Sequence, residues 1–221
     1  EIIRAITDPD YPLVVCRIHD GGAMAKRDTE IAVVSKVIAF LRENMIAPDT
    51  GQKYQEGPEG DKAFWGSRSG DGGVGIISPH HEQINRLKER IAADTGMSRE
   101  SLFIDTVDKL QGRQREAVIV SYGVTDPEKA ASELEFIYSR NRLNVSMTRG
   151  KKKTVCILSD TLLDTRPDIL SVDDDAIMKG INYMTGLLDF MRRDENDTCH
   201  EEKINIPIGD VKIDIYRKKM K

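Results

Sequence analysis

Short apolar runs alternate with amphipathic stretches along the chain. The apolar runs, which are typical of buried strands, are residues 13–18, 74–78, 102–105, 117–121 and 154–158. Apolar residues at helical spacing predict helices over residues 28–45, 81–94, 142–149 and 173–193. Strands that alternate with helices in this way favour a parallel sheet with helices on both faces. We therefore predict an α/β fold.

Proline and glycine mark the stretches for which we predict no regular structure. Residues 1–12 contain Pro9 and Pro12, which argue against a helix. Residues 47–73 are rich in glycine and proline, and we predict a flexible surface insertion there. Trp65, the only tryptophan of the chain, lies inside this insertion. It is either a local packing anchor or a base-stacking side chain on a mobile loop.

Beyond residue 160 we predict a C-terminal extension, residues 161–221, that packs on a main domain of residues 1–160. The extension begins with the helix predicted over residues 173–193. Its tail has alternating isoleucines on both sides of Gly209 and Asp210, which indicates a β-hairpin. The adjacent residues Cys199, His200 and Glu201 cannot easily converge on one ion, so we predict no metal site.

Composition narrows the classes of protein. The 221 residues, 39% hydrophobic and 32% charged, suffice for one sizeable core. A net charge of −4 gives no overall basic field, although a local basic lining can still bind phosphates. Cys16 and Cys156 lie in strand-like runs and are predicted to be reduced, which fits a cytoplasmic or nuclear protein. No apolar run has membrane length, and because the sequence begins at Glu1 we expect a piece of a longer protein.

Two polar segments stand beside predicted strands. Residues 106–116 read TVDKLQGRQRE, and residues 142–149 read RLNVSMTR. If the second segment is a helix, Arg142 and Arg149 fall on one face, two turns apart. Glycines, hydroxyls and a converging arginine at strand ends predict a phosphate site, which we expect at the carboxyl edge of the sheet.

These segments resemble motifs V and VI of superfamily 1 helicases, in the branch of the nonsense-mediated-decay helicase and the Dna2-type nuclease-helicases. Residues 78–83, SPHHEQ, resemble motif IV. The resemblance covers roughly residues 12–160 and implies a RecA-like, P-loop NTPase-type domain of three layers. The sequence contains neither a GxxxxGK[ST] phosphate loop nor a strand that ends in an Asp-Glu pair.

The resemblance therefore implies the second RecA-like domain of an ATP-dependent helicase, inactive as an ATPase alone. ATP and Mg²⁺ would be bound mainly by the N-terminal RecA-like domain of the same protein, and single-stranded DNA or RNA would be the other partner. No membrane partner is expected. The family usually has Gln-Gly-x-Glu in motif V, whereas this chain has Gln114 in place of the acid. This departure leaves a second hypothesis open, a degenerate helicase-like domain that is a scaffold for protein or nucleic acid.

Roles of single residues also follow from the resemblance. Arg149 would be the arginine finger that reaches the γ-phosphate, and Asn144 and Thr148 would hold the motif V loop. Arg142 would orient the motif V acids or approach phosphate, with a structural ion pair equally open. The residues expected near ATP are Gln111, Gly112, Gln114, Glu116 and Arg142. The residues expected along the nucleic-acid strand are Ser78, Pro79, His80, Thr106, Asp108 and Lys109.

Overall fold

The computed structural model describes residues 2–66, 72–165, 174–192, 204–208 and 210–219. Its strands are β1 Leu13–His19, β2 Val74–Ile77, β3 Ile104–Asp105, β4 Arg115–Ser121, β5 Gly150–Ser159, β6 Ile204–Ile208 and β7 Val211–Lys218. They form one seven-stranded sheet in the order β3-β2-β4-β5-β1-β7-β6. The first five strands in that order are parallel, whereas β7 runs antiparallel to both β1 and β6.

The helices are α1 Ile2–Thr7, α2 Ala23–Asn44, α3 Pro58–Trp65, α4 His81–Thr95, α5 Pro127–Ser132, α6 Leu134–Ile137, α7 Arg140–Met147, α8 Asp160–Leu163 and α9 Asp175–Arg192. A 3₁₀ helix, Val107–Leu110, follows β3. Helix α2 packs on α4, and α7 packs on α9. Each pair covers part of the sheet.

Neighbouring residues at the end of β4 show that the helices cover opposite faces. Ser121 donates a hydrogen bond to Glu30 of α2. The next residue, Tyr122, lies against Ser146 of α7. Since successive side chains of an extended chain point to opposite faces, α2 and α7 lie on different sides. The predicted α/β fold, a mainly parallel sheet between two helical layers, is confirmed.

Most of the predicted strands and the helix over residues 81–94 are confirmed within a few residues. Helix α4 buries Ile84, Leu87 and Ile91, the three apolar positions that predicted it. The predicted tail hairpin is also confirmed, because β6 and β7 pair on either side of Asp210. Strand β7 then pairs with β1, so the tail extends the main sheet.

Two predictions near the amino end are wrong. Residues 1–12 are not irregular, because α1 spans Ile2–Thr7 and ends before the prolines. Helix α2 begins at Ala23 rather than at Asp28, with Gly22 as a cap residue that has no side-chain bond. Asp28 does not cap the helix; its Oδ1 lies 2.7 Å from Nη2 of Arg86 on α4.

The segment of residues 47–73 is not without structure, since it contains α3. Helix α3 begins with Pro58 at its first turn, where proline is tolerated because that N–H has no partner inside a helix. Trp65 ends the helix and is 1% exposed, with its ring 5.2 Å from Phe64. Trp65 is therefore a packing anchor, and the alternative of a base-stacking side chain is wrong. Residues 67–71 lie outside the described residues.

Candidate functional site

The carboxyl ends of β2 and β3 bring the motif IV and motif V segments together. The Ser78 amide donates to the carbonyl of Asp105 across the two strands at 3.1 Å. Beyond this pair the chain turns over a cavity of about 350 Å³, which we call the carboxyl-edge cavity. Its lining includes Pro79, Thr106 and Asp108, three of the residues expected along a nucleic-acid strand.

Two further residues of that expected set differ in exposure. Ser78 is fully buried, and its Oγ has no hydrogen-bond partner within the residues described. The Ser78 side chain therefore offers no exposed atom for the expected contact with nucleic acid. His80 is partly exposed, with Nε2 3.4 Å from the Glu133 carboxylate. Burial lowers the pKa of His80, which favours the neutral ring at pH 7.

Arg142 also belongs to the carboxyl edge. Its Nε lies 3.7 Å from Oδ1 of Asp108, and its guanidinium carbon lies 4.7 Å from the ring centre of Phe136. Helix α7 ends at Met147, so Arg149 is not part of the helix. The prediction that Arg142 and Arg149 share one helix face is wrong.

A buried polar cluster, which neither the motifs nor the apolar periodicity indicated, supports this edge from inside. Glu30 of α2 is fully buried and accepts hydrogen bonds from the Ser121 hydroxyl at 2.6 Å and the Gly123 amide at 2.9 Å. Gln83 of α4 donates to the same hydroxyl at 3.1 Å. These bonds tie α2 and α4 to the end of β4. Burial raises the pKa of Glu30 to about 7.

Arg149 lies at the opposite edge of the sheet. It directly precedes β5, and its carbonyl accepts a hydrogen bond from the amide of Arg115, the first residue of β4, at 2.9 Å. Both strands begin there, so this is the amino edge. The prediction of Arg149 at the carboxyl edge is wrong, because a residue that comes just before a parallel strand lies where the strand starts.

The Arg149 guanidinium keeps spare hydrogen-bonding capacity. Nη2 lies 3.2 Å from the Thr148 hydroxyl, which donates to the Asn144 carbonyl at 2.8 Å. The Nε group is buried and has no partner among the residues that the structure describes. No carboxylate of the described chain lies within ion-pair distance of it. Thr148 and Asn144 thus bond within their own segment, and not to the motif V loop as expected.

The other residues expected near ATP are divided between the two edges. Gln114 and Glu116 flank the first residue of β4 and so lie at the amino edge with Arg149. Glu116 is nearly buried, with Oε2 3.1 Å from Nζ of Lys152. Gln111 lines a groove of about 1110 Å³ together with Asp108 and Arg142. Gly112 follows Gln111 with φ of 75°, a turn conformation that glycine adopts without strain.

Arg115 is a structural residue of the amino edge, and the sequence, which offered it only as one of several candidate phosphate contacts, did not predict its burial. It is fully buried, and Nη1 donates to the carbonyls of Trp65 and Gly72, at 2.7 Å each. Its guanidinium carbon lies 4.0 Å from the Phe103 ring centre. The loop before β2 and the end of α3 are thereby fixed to the start of β4. In the sequence, Arg115 stands two residues before the apolar run of residues 117–121.

Comparison with known proteins identifies the family. A family model described as an AAA domain matches residues 6–161, most of the chain. The chain belongs to this family. The human DNA replication ATP-dependent helicase/nuclease DNA2 is 28% identical over 58% of the chain and 11% of its own length. The mouse protein of the same name is 27% identical over 90% of the chain and 16% of its own length.

A third relative extends the comparison beyond Dna2. Helicase SEN1 of Saccharomyces cerevisiae is 35% identical over 36% of the chain and 4% of its own length. The AAA domain family member is thus a helicase-family domain of the Dna2 and Sen1 branch of superfamily 1, as its motifs indicated. The chain spans no more than 16% of the length of these three relatives.

Two further observations concern metals and membranes. Within the described ranges, no group of three or more His, Cys, Asp or Glu side chains is placed to hold a metal ion. Cys199, His200 and Glu201 lie outside those ranges. Cys16 and Cys156 are buried free thiols, as predicted. None of the described helices combines the length and apolar character needed to cross a membrane.

Proposed function

We propose that this chain is the second motor domain of an ATP-dependent DNA or RNA helicase. It would supply Arg149 to a triphosphate whose phosphate loop and Mg²⁺ ligands lie on an N-terminal RecA-like domain of the same protein. The observation that carries the proposal is the Arg149 guanidinium, which lies at the amino edge with a buried Nε that has no partner in the described chain. A planar guanidinium with free donors is suited to phosphate oxygens.

The residues present fit one side of an ATP site. Arg149 would neutralise negative charge that develops on the γ-phosphate oxygens, a contribution of about 10³–10⁵ in rate for such arginines. Gln114, at the start of the neighbouring strand, would accept a hydrogen bond from a ribose hydroxyl. Glu116 would support the site without contacting the nucleotide, because its carboxylate is paired with Lys152. The names of the relatives, which describe ATP-dependent helicases, support the same assignment.

The carboxyl edge would guide the nucleic-acid strand. Pro79, His80, Thr106 and Lys109 lie on the turns that follow β2 and β3, and Asp108 would hold the turn by its contact with Arg142. We assign Arg142 to this edge rather than to ATP, because its guanidinium is engaged there by Asp108 and Phe136. Closure of the two RecA-like domains on ATP would then move the strand while Arg149 contacts the triphosphate.

The test is Arg149→Lys in the complete protein, with ATP turnover measured in the presence of Mg²⁺ and a single strand. We expect turnover to fall at least about 10³-fold, because lysine keeps the charge but loses the bidentate geometry. Binding of the strand without nucleotide should not change. Arg140→Lys, at the exposed start of α7, is the matched control and should keep its turnover.

Two outcomes would contradict the proposal. Near-normal turnover in the Arg149→Lys protein would remove this residue from the site. Magnesium-dependent ATP hydrolysis by the 221-residue chain alone, abolished by Arg149→Ala, would show that no second domain is required. Gln114 favours one alternative, a degenerate helicase-like domain that serves as a scaffold. That alternative predicts a complete protein that binds nucleic acid but does not hydrolyse ATP.

A further inference from the structure

Phe136 is an exposed aromatic residue at the carboxyl edge that neither the motifs nor the sequence analysis assigned. It belongs to α6 and is 37% exposed. The ring lines both the carboxyl-edge cavity and the larger groove beside it. Two partners flank it, the His80 ring at 5.6 Å between centres and the Arg142 guanidinium at 4.7 Å. His80 and Arg142 come from the motif IV and motif VI segments, so Phe136 links the two.

The segment that carries Phe136 is anchored on the carboxyl side of the ring. The next two residues, Ile137 and Tyr138, are fully buried. The Tyr138 hydroxyl lies 2.7 Å from the Thr165 hydroxyl. The backbone of Tyr138 approaches Gly180 of α9 so closely that an added Cβ would lie 1.5 Å from the Tyr138 carbonyl oxygen. An exposed ring on a fixed segment loses little conformational entropy when a ligand stacks on it.

Charges around the ring favour a neutral ligand over a phosphate. Asp108 lies against Arg142, and Glu133 lies against His80, so each basic partner of the ring already faces a carboxylate. A phosphate placed there would meet two negative groups. A nucleobase is uncharged, presents a flat π-face and stacks on aromatic rings and guanidinium planes. The carboxyl-edge cavity, about 350 Å³, is at the lower end of the size of small-ligand pockets.

We propose that Phe136, with His80 and Arg142, forms a stacking site for one unpaired nucleobase of a single strand that crosses the carboxyl edge. The inference rests on the proposed nucleic-acid role of this edge and adds a contact to a base through Phe136, a residue outside the three motifs. Because every base has a π-face, the site binds without strong sequence preference. It is independent of Arg149 and of ATP.

The experiment measures binding of this chain, without nucleotide, to fluorescent oligo(dT) and oligo(U) and to the same oligonucleotides with abasic positions throughout. Phe136→Ala should weaken binding to the normal oligonucleotides about tenfold, within the range for loss of one base stack. Phe136→Leu, which keeps apolar bulk, should weaken it nearly as much, and Phe136→Trp should keep the affinity. Binding to the abasic strands should be the same for all four proteins.

Phe190→Ala is the matched control. Phe190 is 44% exposed and has Lys218 Nζ 4.4 Å from its ring centre, so both exposed rings carry a cation. It lines a groove of about 720 Å³ next to the start of β5, at the amino edge, and its loss should not change oligonucleotide affinity. Thermal unfolding of each variant shows whether the fold is kept.

The outcomes separate this inference from the proposed function. If the unaltered chain binds the normal strands and Phe136→Leu binds them equally well, the stacking site is wrong while the nucleic-acid role stands. If Phe136→Leu weakens abasic and normal strands alike, Phe136 acts on the backbone path or the fold, and the stacking site is again wrong. If the unaltered chain binds no oligonucleotide, the nucleic-acid role of the carboxyl edge fails and this site fails with it.

Discussion

The two edges of the sheet differ in the sign of the charged side chain that is fully buried at each of them, although Glu116 at the amino edge and Lys26 at the carboxyl edge are nearly buried as well. At the amino edge, Arg115 is fully buried and Lys153 is 7% exposed, and both donate hydrogen bonds to loop carbonyls. At the carboxyl edge the fully buried charged group is the carboxylate of Glu30, which accepts hydrogen bonds from Ser121 and Gly123. Buried cations favour an anion nearby, whereas a buried carboxylate disfavours one. The difference supports a triphosphate at the amino edge and neutral bases at the carboxyl edge.

The same difference appears in the pKa values of the buried groups. Burial lowers the pKa of Lys153 to about 8 and raises that of Glu30 to about 7. Each group therefore loses part of its charge near neutral pH, but the two losses occur in opposite directions. A cation that donates to carbonyls and an acid that accepts from an amide are stabilised by different neighbours. A substitution at one edge should therefore change the stability of the fold in a different way from a substitution at the other.

The largest effect on stability is expected at the amino edge. Arg115→Met would remove the donor that holds the carbonyls of Trp65 and Gly72 and leave both without this partner in the interior. We expect the free energy of unfolding to fall by about 3–5 kcal/mol, as for one partner removed from a buried polar contact of this kind. Urea denaturation measures it. Arg113→Met, on the partly exposed loop before β4, should cost under about 1 kcal/mol.

A loss below about 1 kcal/mol for Arg115→Met would mean that the buried guanidinium is no better than an apolar side chain at this position. The amino edge would then not depend on its buried cation, and the contrast between the two edges would be reduced to Lys153 alone.

The second prediction concerns the pH dependence of stability at the carboxyl edge. The pKa of Glu30 is raised from 4.5 to about 7 in the folded chain, so between these values the folded state binds more protons than the unfolded state. Stability therefore decreases as pH rises through this window and is constant above it. At 1.36 kcal/mol per pH unit the upper limit is about 3 kcal/mol. Glu30→Gln should flatten this part of the profile.

Urea denaturation at several pH values between 4.5 and 7 checks the slope. Arg27 is the charged side chain that faces Glu30, and the other groups are the Ser121 hydroxyl and the amides of Tyr122 and Gly123. Asp28→Asn, an exposed carboxylate on the same helix, is the control and should leave the slope unchanged. An identical slope in the Glu30→Gln protein would show that burial does not raise the pKa of the Glu30 carboxyl in the unaltered chain.

The contrast between the edges also shows what the sequence could predict. The periodicity of apolar residues was sufficient to predict the parallel strands and α4, because apolar residues are buried irrespective of which residues they contact. Arg115 and Glu30 could not be predicted, since a charged residue is assigned to the surface by default and its burial depends on carbonyls and hydroxyls that are distant in the chain. The edge that Arg149 occupies follows from topology, once the start of β5 is known. The burial of Trp65 depends on α3, the helix that positions it.

The third prediction tests the nucleotide side of the comparison. Gln114→Glu restores the acid that the family usually has in motif V, at the amino edge beside Arg149. A charged acceptor strengthens a hydrogen bond to a ribose hydroxyl, and we expect the affinity of the complete protein for a fluorescent ATP analogue to rise several-fold, or about 1 kcal/mol.

Gln111→Glu is the matched control. Because Gln111 lines the groove with Arg142, it should not change nucleotide affinity. Equal effects of the two variants would contradict the separation of the edges.

The smallest effect is expected from an exposed lysine of the carboxyl edge. Lys109 lies on the 3₁₀ helix after β3, beside Thr106 and Asp108, and Lys109→Ala removes one candidate phosphate contact. Loss of one contact to a single strand should reduce the slope of log affinity against log salt by about 0.7 and weaken binding a few-fold at low salt. Titration of a fluorescent single strand at several salt concentrations measures both. Lys151→Ala, which alters an exposed lysine at the amino edge, should leave the slope unchanged. A greater change for Lys151 than for Lys109 would mean that the strand follows the amino edge, which would reverse the assignment of the two edges.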